Sequence, residues 1–274
     1  MSSTVDPKVT RLVRAVAAEA AGAGARAVVL TGSHARGDAT EHSDIDIVVL
    51  GRGPEYRLHR RGAYLVSVEW RSPAAERAIL RTPRTVGAAV PGWRDAIILH
   101  DPTGVAERLQ RAAVAFRWDP IASACDAWVA NEITGFAEEV HKLVGARRQH
   151  HAHTAAVQRT LLAVRLAPIL AVHLRILYGT ENVPWDRVGD AMGARWRRAQ
   201  TRALGEGGDS LAVTCRAALE LYAMAVDAGW RLLDTPQRAV VRHACAIAGH
   251  DVHANPRRSP RNTRKKHERE VSDG

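Results

Sequence analysis

Thr31-Gly32-Ser33-His34-Ala35-Arg36-Gly37, followed after a short spacer by Ser43-Asp44-Ile45-Asp46-Ile47-Val48-Val49-Leu50, is the stretch around which the rest of the chain is organised. Just upstream, Ala27 to Leu30 is a short apolar run that reads as a buried strand ending in the Gly32-Ser33 turn. From Asp44 the sequence alternates between acidic and apolar. Side chains two apart on a strand share a face, so Asp44 and Asp46 project together while Ile45 and Ile47 enter the core. Two neighbouring carboxylates repel, and each would rather be protonated or solvated than sit beside the other. A divalent cation removes that conflict. Mg²⁺ suits the pair, because it takes oxygen ligands and is usually held by one or two carboxylates together with substrate phosphates. The Gly-Ser turn offers backbone N–H groups and a hydroxyl to a phosphate, at an approach that a residue larger than Gly32 would block. Each signal alone is commonplace in turns and strand edges; in this order and spacing they point to a metal–nucleotide site.

A strand, a Gly-Ser turn, a spacer and then Asp-x-Asp on the next strand resembles the signature of the nucleotidyltransferase superfamily that includes DNA polymerase beta. The run Tyr64-Leu65-Val66-Ser67-Val68-Glu69-Trp70 reads as a further strand, with Leu65, Ser67 and Glu69 in phase on one face. Taken alone, Glu69 reads as an exposed face residue. The resemblance makes it the third acid of the metal cage.

The chain has 274 residues, enough for one or two domains with proper cores. Its net charge of +10 invites a nucleic-acid reading, so the location of the charge matters. Arg and Ala are overused and lysine is confined to Lys8, Lys142, Lys265 and Lys266, a pattern of biased base composition. Much of the excess lies in residues 256–274, a polar stretch with Arg257, Arg258, Arg261, Arg264, Lys265, Lys266 and Arg269, expected to be a disordered basic tail from about 251 to 274. The moderately basic body left over suits a protein that handles polyphosphates, with no specific nucleic-acid partner expected. Cys125, Cys215 and Cys245 are scattered in apolar helical contexts and read as buried thiols in a reducing compartment. No signal peptide pattern opens the chain, and the apolar stretch Leu161 to Tyr178 is broken by Arg165, Pro168, His173 and Arg175. A cytoplasmic protein with no membrane partner is expected.

Strand and helix signals alternate up to about residue 115 and then become wholly helical. The expected fold is an α/β (α+β) domain over residues 1–115, with a mixed sheet of four or five strands, followed by an all-α helical bundle over 116–250. Helical spacing covers 121–148, 153–178, 184–204, 209–232 and 236–249, with breaks at Gly179, the Gly205–Gly208 cluster and Pro236. Within the bundle, Lys142 stands out where Arg fills nearly every other basic position, as a compact point charge suited to a phosphate oxygen. Glu138 lies one helical turn before it. The plain reading is a surface ion pair; the functional one makes Glu138 a general base and Lys142 a phosphate ligand, with Glu132 and Glu139 competing for the base. His150-His151-x-His153 lacks partners at metal spacing and reads as a polar loop or helix start. Trp93, Trp118 and Trp128 read as core.

The order of the Glu69 strand, the Ile97 to Asp101 strand, the Glu138/Lys142 helix and Val172 to Tyr178 is similar to that of kanamycin nucleotidyltransferase-like aminoglycoside nucleotidyltransferases. The resemblance extends over roughly residues 8–235 and is specific in the metal motif. It implies metal binding by Asp44, Asp46 and Glu69, a nucleotide loop of Gly32, Ser33, Arg36 and Ser43, a phosphate lysine at Lys142 and a general base at Glu138. It further implies Mg²⁺ as cofactor, ATP or another nucleoside triphosphate as substrate, a small-molecule hydroxyl as acceptor, and a homodimer with its active site between subunits. The implied activity is transfer of a nucleoside monophosphate with loss of pyrophosphate. Modification of a protein partner, antitoxin-like, and non-catalytic nucleotide binding by a regulator are the alternatives.

Overall fold

The computed structural model describes residues 6–252; the expected disordered tail falls, from residue 253 onward, outside the described residues. The chain opens with α1 (Pro7–Gly22), started as the sequence suggests: the Asp6 side chain accepts from the Lys8 N–H at 2.8 Å and Pro7 occupies the first turn. Then follow β1 (Ala27–Thr31), a short α2 (Gly32–Arg36), β2 (Ile45–Leu50), β3 (Tyr56–Arg61), β4 (Tyr64–Arg71), α3 (Pro73–Ile79), α4 (Pro83–Asp95), β5 (Ile97–His100) and α5 (Val105–Val114). The five strands form one mixed sheet in the order β3-β4-β2-β1-β5. β1 runs antiparallel to both β2 and β5, β3 antiparallel to β4, and β2 and β4 are parallel.

Alternation along the strands sorts the two faces of this sheet. Val28 and Leu30 of β1, Ile45, Ile47 and Val49 of β2 and Val66 of β4 pack under α1 in one cluster. Ala27, Val29 and Leu50 face the other way, into a larger cluster that runs through α4 and α5 and on into the helices beyond. Asp46 belongs to this second face, as do Ser67, Glu69 and Arg71. The acidic pair therefore sits toward the helical half of the molecule, at the open end of the β2 face.

Beyond α5 come α6 (Ala122–Gly135), α7 (Ala137–Arg148), α8 (Ala152–His173), α9 (Pro184–Met192), α10 (Ala194–Leu204), α11 (Leu211–Gly229) and α12 (Thr235–Ile247). The expected fold class is the observed one: an α/β domain with a mixed five-stranded sheet, followed by a helical region. α8 is the one described helix long and apolar enough to cross a membrane. It forms the middle of the bundle, with Leu162, Leu166, Leu170 and Ala171 fully buried against its neighbours.

Two expected long helices are each split. The 121–148 run breaks at Phe136 into α6 and α7, and the 184–204 run breaks at Gly193, whose φ of 85° is one that L side chains avoid. The expected helix 153–178 ends early, at His173. Arg175 takes a left-handed φ of 58°, held there by its own guanidinium, which donates to the carbonyls of Val172 and Ala122 and to the Asp126 carboxylate. The chain then leaves the bundle as a loop, residues 174–183, that reaches the sheet.

Candidate active site

A cavity of about 1250 Å³ opens where the β2 and β4 face meets α4 and the 174–183 loop. Gly32, Ser33, Arg36, Ser43, Asp44, Asp46 and Glu69 all line it, so seven of the expected site residues are brought together. Glu138 and Lys142 are not. They sit on α7 as an exposed ion pair, Lys142 Nζ to Glu138 Oε1 at 2.8 Å, with Glu139 Oε1 at 3.9 Å. Lys142 lowers the Glu138 carboxyl below the usual glutamate range. On this chain the pair has the geometry of a solvated i,i+4 contact.

The Gly-Ser turn is built around close approach. Thr31 ends β1 opposite Asp46, and its hydroxyl donates to the Asp46 carbonyl at 3.5 Å. Gly32 has a φ of 69°, and a Cβ there would collide with Asp46 Oδ2. Gly32 is required on both counts, conformation and space. The following turn closes on Gly37, whose N–H donates to the Ser33 carbonyl at 2.8 Å. Arg36 is held on two sides: Nε donates to Asp38 at 3.1 Å and Nη1 to the Gly179 carbonyl of the bundle loop at 3.4 Å. The Tyr178 N–H in turn donates to the Gly87 carbonyl of α4 at 2.9 Å, and the Tyr178 ring covers Gly87, where a Cβ would strike it. The loop is thus tied both to α2, which follows the Gly-Ser turn, and to α4.

Asp44 lies just before β2, exposed to solvent, while Asp46 is partly buried within the strand. Burial raises the Asp46 carboxyl above its ordinary value; a hydrogen bond from Ser67 Oγ to Oδ1, at 2.7 Å, opposes the rise, and the neighbouring Asp44 charge adds to it. An ionised, partly buried aspartate beside a second aspartate is a local excess of negative charge that a divalent cation relieves. The donor set is hard oxygen with an open mouth, so these residues fit Mg²⁺ with phosphate oxygens completing its shell.

Glu69, expected as the third acid of that cage, lines the same cavity and is ion-paired to Arg71. The register pairs Asp46 with Ser67 and Val48 with Glu69, which sets Glu69 two residues farther along β4. There Arg71 Nη2 binds its Oε2 at 2.6 Å. Arg71 Nη1 also holds Glu76 Oε1 at 2.7 Å, and Glu76, 1% exposed, accepts from the Trp93 indole at 2.7 Å through Oε2. Among the described residues no three His, Cys, Asp or Glu side chains converge to hold a metal ion.

Sequence reasoning missed β3, the Arg71–Glu76–Trp93 network and the entry of Tyr178 to Asn182 into the cavity. A signal for the first was the Gly62-Ala63 pair between β3 and β4, a two-residue hairpin turn with Gly62 at φ 64°.

Residues 12–87, which include the Gly-Ser turn, both aspartates and Glu69, match the family model of the nucleotidyltransferase domain. No curated protein matches the chain. Among solved structures, the chain is similar to a nucleotidyltransferase-like protein from Exiguobacterium sibiricum, with a TM-score of 0.49 and 14% identity over 82% of this chain and 77% of that one.

Proposed function

We propose that the protein transfers a nucleoside monophosphate, AMP from ATP by preference, to the hydroxyl of a small acceptor and releases pyrophosphate. The observation that carries this reading is the convergence of the Gly32-Ser33 turn and the Asp44/Asp46 pair on one cavity, within the segment that matches the nucleotidyltransferase domain. The triphosphate lies along the Gly-Ser turn, where the absence of a Cβ at Gly32 lets the backbone approach, and Arg36 faces it from the end of the short helix. Asp44 and Asp46 would hold Mg²⁺, which supplies neutralisation of the charge on the transferred and leaving phosphates.

The acceptor oxygen attacks the α-phosphorus in line, its bond to phosphorus forming as the bond to the bridging oxygen of pyrophosphate breaks. Glu69 takes the hydroxyl proton on Oε1, since Arg71 occupies Oε2 and fixes the carboxylate in the cavity wall. Positioning and preorganised charge supply most of the acceleration. Glu55 and Glu181 line the same cavity, together with Arg84 and with Arg71, which is ion-paired to Glu69 and Glu76. The unpaired carboxylates suit a cationic polyol such as an aminoglycoside. The residues assigned here all belong to this cavity, and Glu138 and Lys142 are given no part in the chemistry.

The test is Mg²⁺-dependent pyrophosphate release from ATP over a panel of aminoglycosides and neutral polyols, with Asp46→Asn as control. Release with one acceptor class, lost in the variant, supports the reading. Saturable Mg-ATP binding with no release for any acceptor would instead support a nucleotide-binding regulator.

A further inference from the structure

A second cavity, of about 550 Å³, lies in the helical half between α10, α11 and the end of α12, and shares no residue with the transfer cavity. Its size is that of a small-molecule site. Four arginines rim it: Arg195, Arg198 and Arg202 of α10, and Arg216 of α11. The three on α10 follow i, i+3, i+7 spacing, along one face and about 10 Å of helix axis. Arg195 Nε reaches Glu220 Oε1 at 2.7 Å, and Arg202 Nε stands 3.8 Å from Asp209 Oδ2. Arg198 and Arg216 have no carboxylate partner among the described residues. Their neighbour Arg197, outside the cavity, is paired with Asp190 at 2.9 Å.

Biased base composition accounts for many arginines, but not for their gathering around one hollow. Like charges three and four residues apart on a helix repel, and here two carboxylates leave part of that charge unneutralised. A bound anion relieves it. Guanidinium forks favour phosphate oxygens, gripping two at a time. The floor is apolar, with Ala199 and Ala217 only 3% and 5% exposed, and a low-dielectric floor strengthens the pull of the rim on an anion. Charges spread over two helices and two turns of α10 call for several anionic groups in a row. We infer that this cavity binds an oligophosphate, as the free anion or as the polyphosphate of a nucleotide, at a site separate from the transfer cavity and independent of a metal.

The experiment is calorimetric titration of the full chain with sodium tripolyphosphate, in EDTA and at physiological ionic strength. Wild type binds it saturably. Arg198→Gln combined with Arg216→Gln weakens binding about tenfold or more, the scale of one lost charge-assisted hydrogen bond. Both side chains are exposed and without an ion pair, so this variant should melt with wild type. Asp46→Asn leaves binding unchanged, as does Arg11→Gln combined with Arg14→Gln, an exposed pair at i,i+3 spacing on α1. Competition by ATP supports the inference with a nucleotide polyphosphate as ligand; saturation without such competition supports it with the free anion. Loss of binding in Asp46→Asn would assign the anion to the transfer cavity, and equal loss in the α1 pair would reduce the effect to net charge; either overturns the inference. Retention in the Arg198/Arg216 variant overturns it too, because the basic residues of 256–274 are present in every variant. Orthophosphate or citrate binding as tightly overturns the assignment to an oligophosphate, and the absence of saturable binding by wild type overturns the site.

Discussion

Asp46 carries opposing demands, and its variants separate them. Its carboxyl is raised, so the folded chain keeps that proton to a higher pH than the unfolded chain does. Between the ordinary value of 3.8 and the folded value the native state binds more protons, and stability falls as pH rises through that window. The resulting penalty is fully present at neutral pH. Asp46→Asn should therefore melt higher than wild type at pH 7 without added metal, the gap closing below pH 3.8. Saturating Mg-ATP should raise the melting temperature of wild type and leave the variant where it was, since only a ligand that binds the native state shifts the equilibrium. For the same reason, transfer should fall away on acidification at a pH above that of an ordinary aspartate. Gly32→Ala is the complementary case. It costs about 1–2 kcal/mol from the positive φ alone and pushes on Asp46 Oδ2, so denaturant melts should show the loss and transfer should vanish with it. Glu69→Gln should lower kcat while Mg-nucleotide affinity measured by calorimetry is unchanged; a loss of affinity would return Glu69 to the role of metal ligand.

Strand β4 and helix α3 show how a site wall is kept in shape. Arg71, the last residue of β4, bridges Glu69 in the cavity to Glu76, buried in the first turn of α3. Removing the arginine leaves a buried carboxylate without its partner, so Arg71→Leu should cost about 3–5 kcal/mol in chemical denaturation. Adding Glu76→Gln should recover most of that, because the amide can still accept from Trp93. Double-mutant coupling near zero would contradict the network. At this scale the sequence was legible where local pattern and burial agree: alternation placed β2 and β4, Asp6-Pro7 started α1, and the Gly-Ser turn fell between its strands. It was opaque where partners lie far off in sequence. β3 is an exposed edge strand, its Arg, Leu and His side chains lacking the apolar alternation that a half-buried strand shows. Glu69 was in phase with a metal ligand by periodicity, but whether it lies beside Asp46 or two residues away is set by the β2–β4 register, and no residue of either strand reports that. Lys142 and Glu138 drew attention by their rarity and spacing, and neither property carries information about which face of α7 the cavity occupies.

Over the whole molecule, the sheet and the bundle are joined by one apolar core, and the site lies at their seam. Val29 and Leu50 of the sheet belong to the same cluster as Leu109 of α5, Ile133 of α6 and Tyr222 of α11. Unfolding should accordingly follow one cooperative transition, coincident by tryptophan fluorescence and by far-ultraviolet circular dichroism. Cys125, Cys215 and Cys245 are buried in that core, and burial pushes the Cys245 thiol up to about 12. All three should resist alkylation in the native state and react together on unfolding. The bundle's reach into the site through Tyr178 and Gly179 was hidden because the turn that ends α8 depends on Arg175 meeting Asp126, 49 residues back. The α7 surface lies outside this seam, and Lys142→Met should leave transfer unchanged in steady-state assays. The central claim is that Asp44, Asp46 and the Gly-Ser turn direct attack to the α-phosphorus. It is tested most directly by incubating the chain with Mg²⁺, an acceptor panel and ATP labelled at either the α- or the γ-phosphate. Label in the acceptor product from α-labelled ATP only, with γ-label recovered in pyrophosphate and both lost in Asp46→Asn, is the predicted result. Acceptor carrying the γ-label, or α-label transferred equally well by the Asp46→Asn variant, would contradict it.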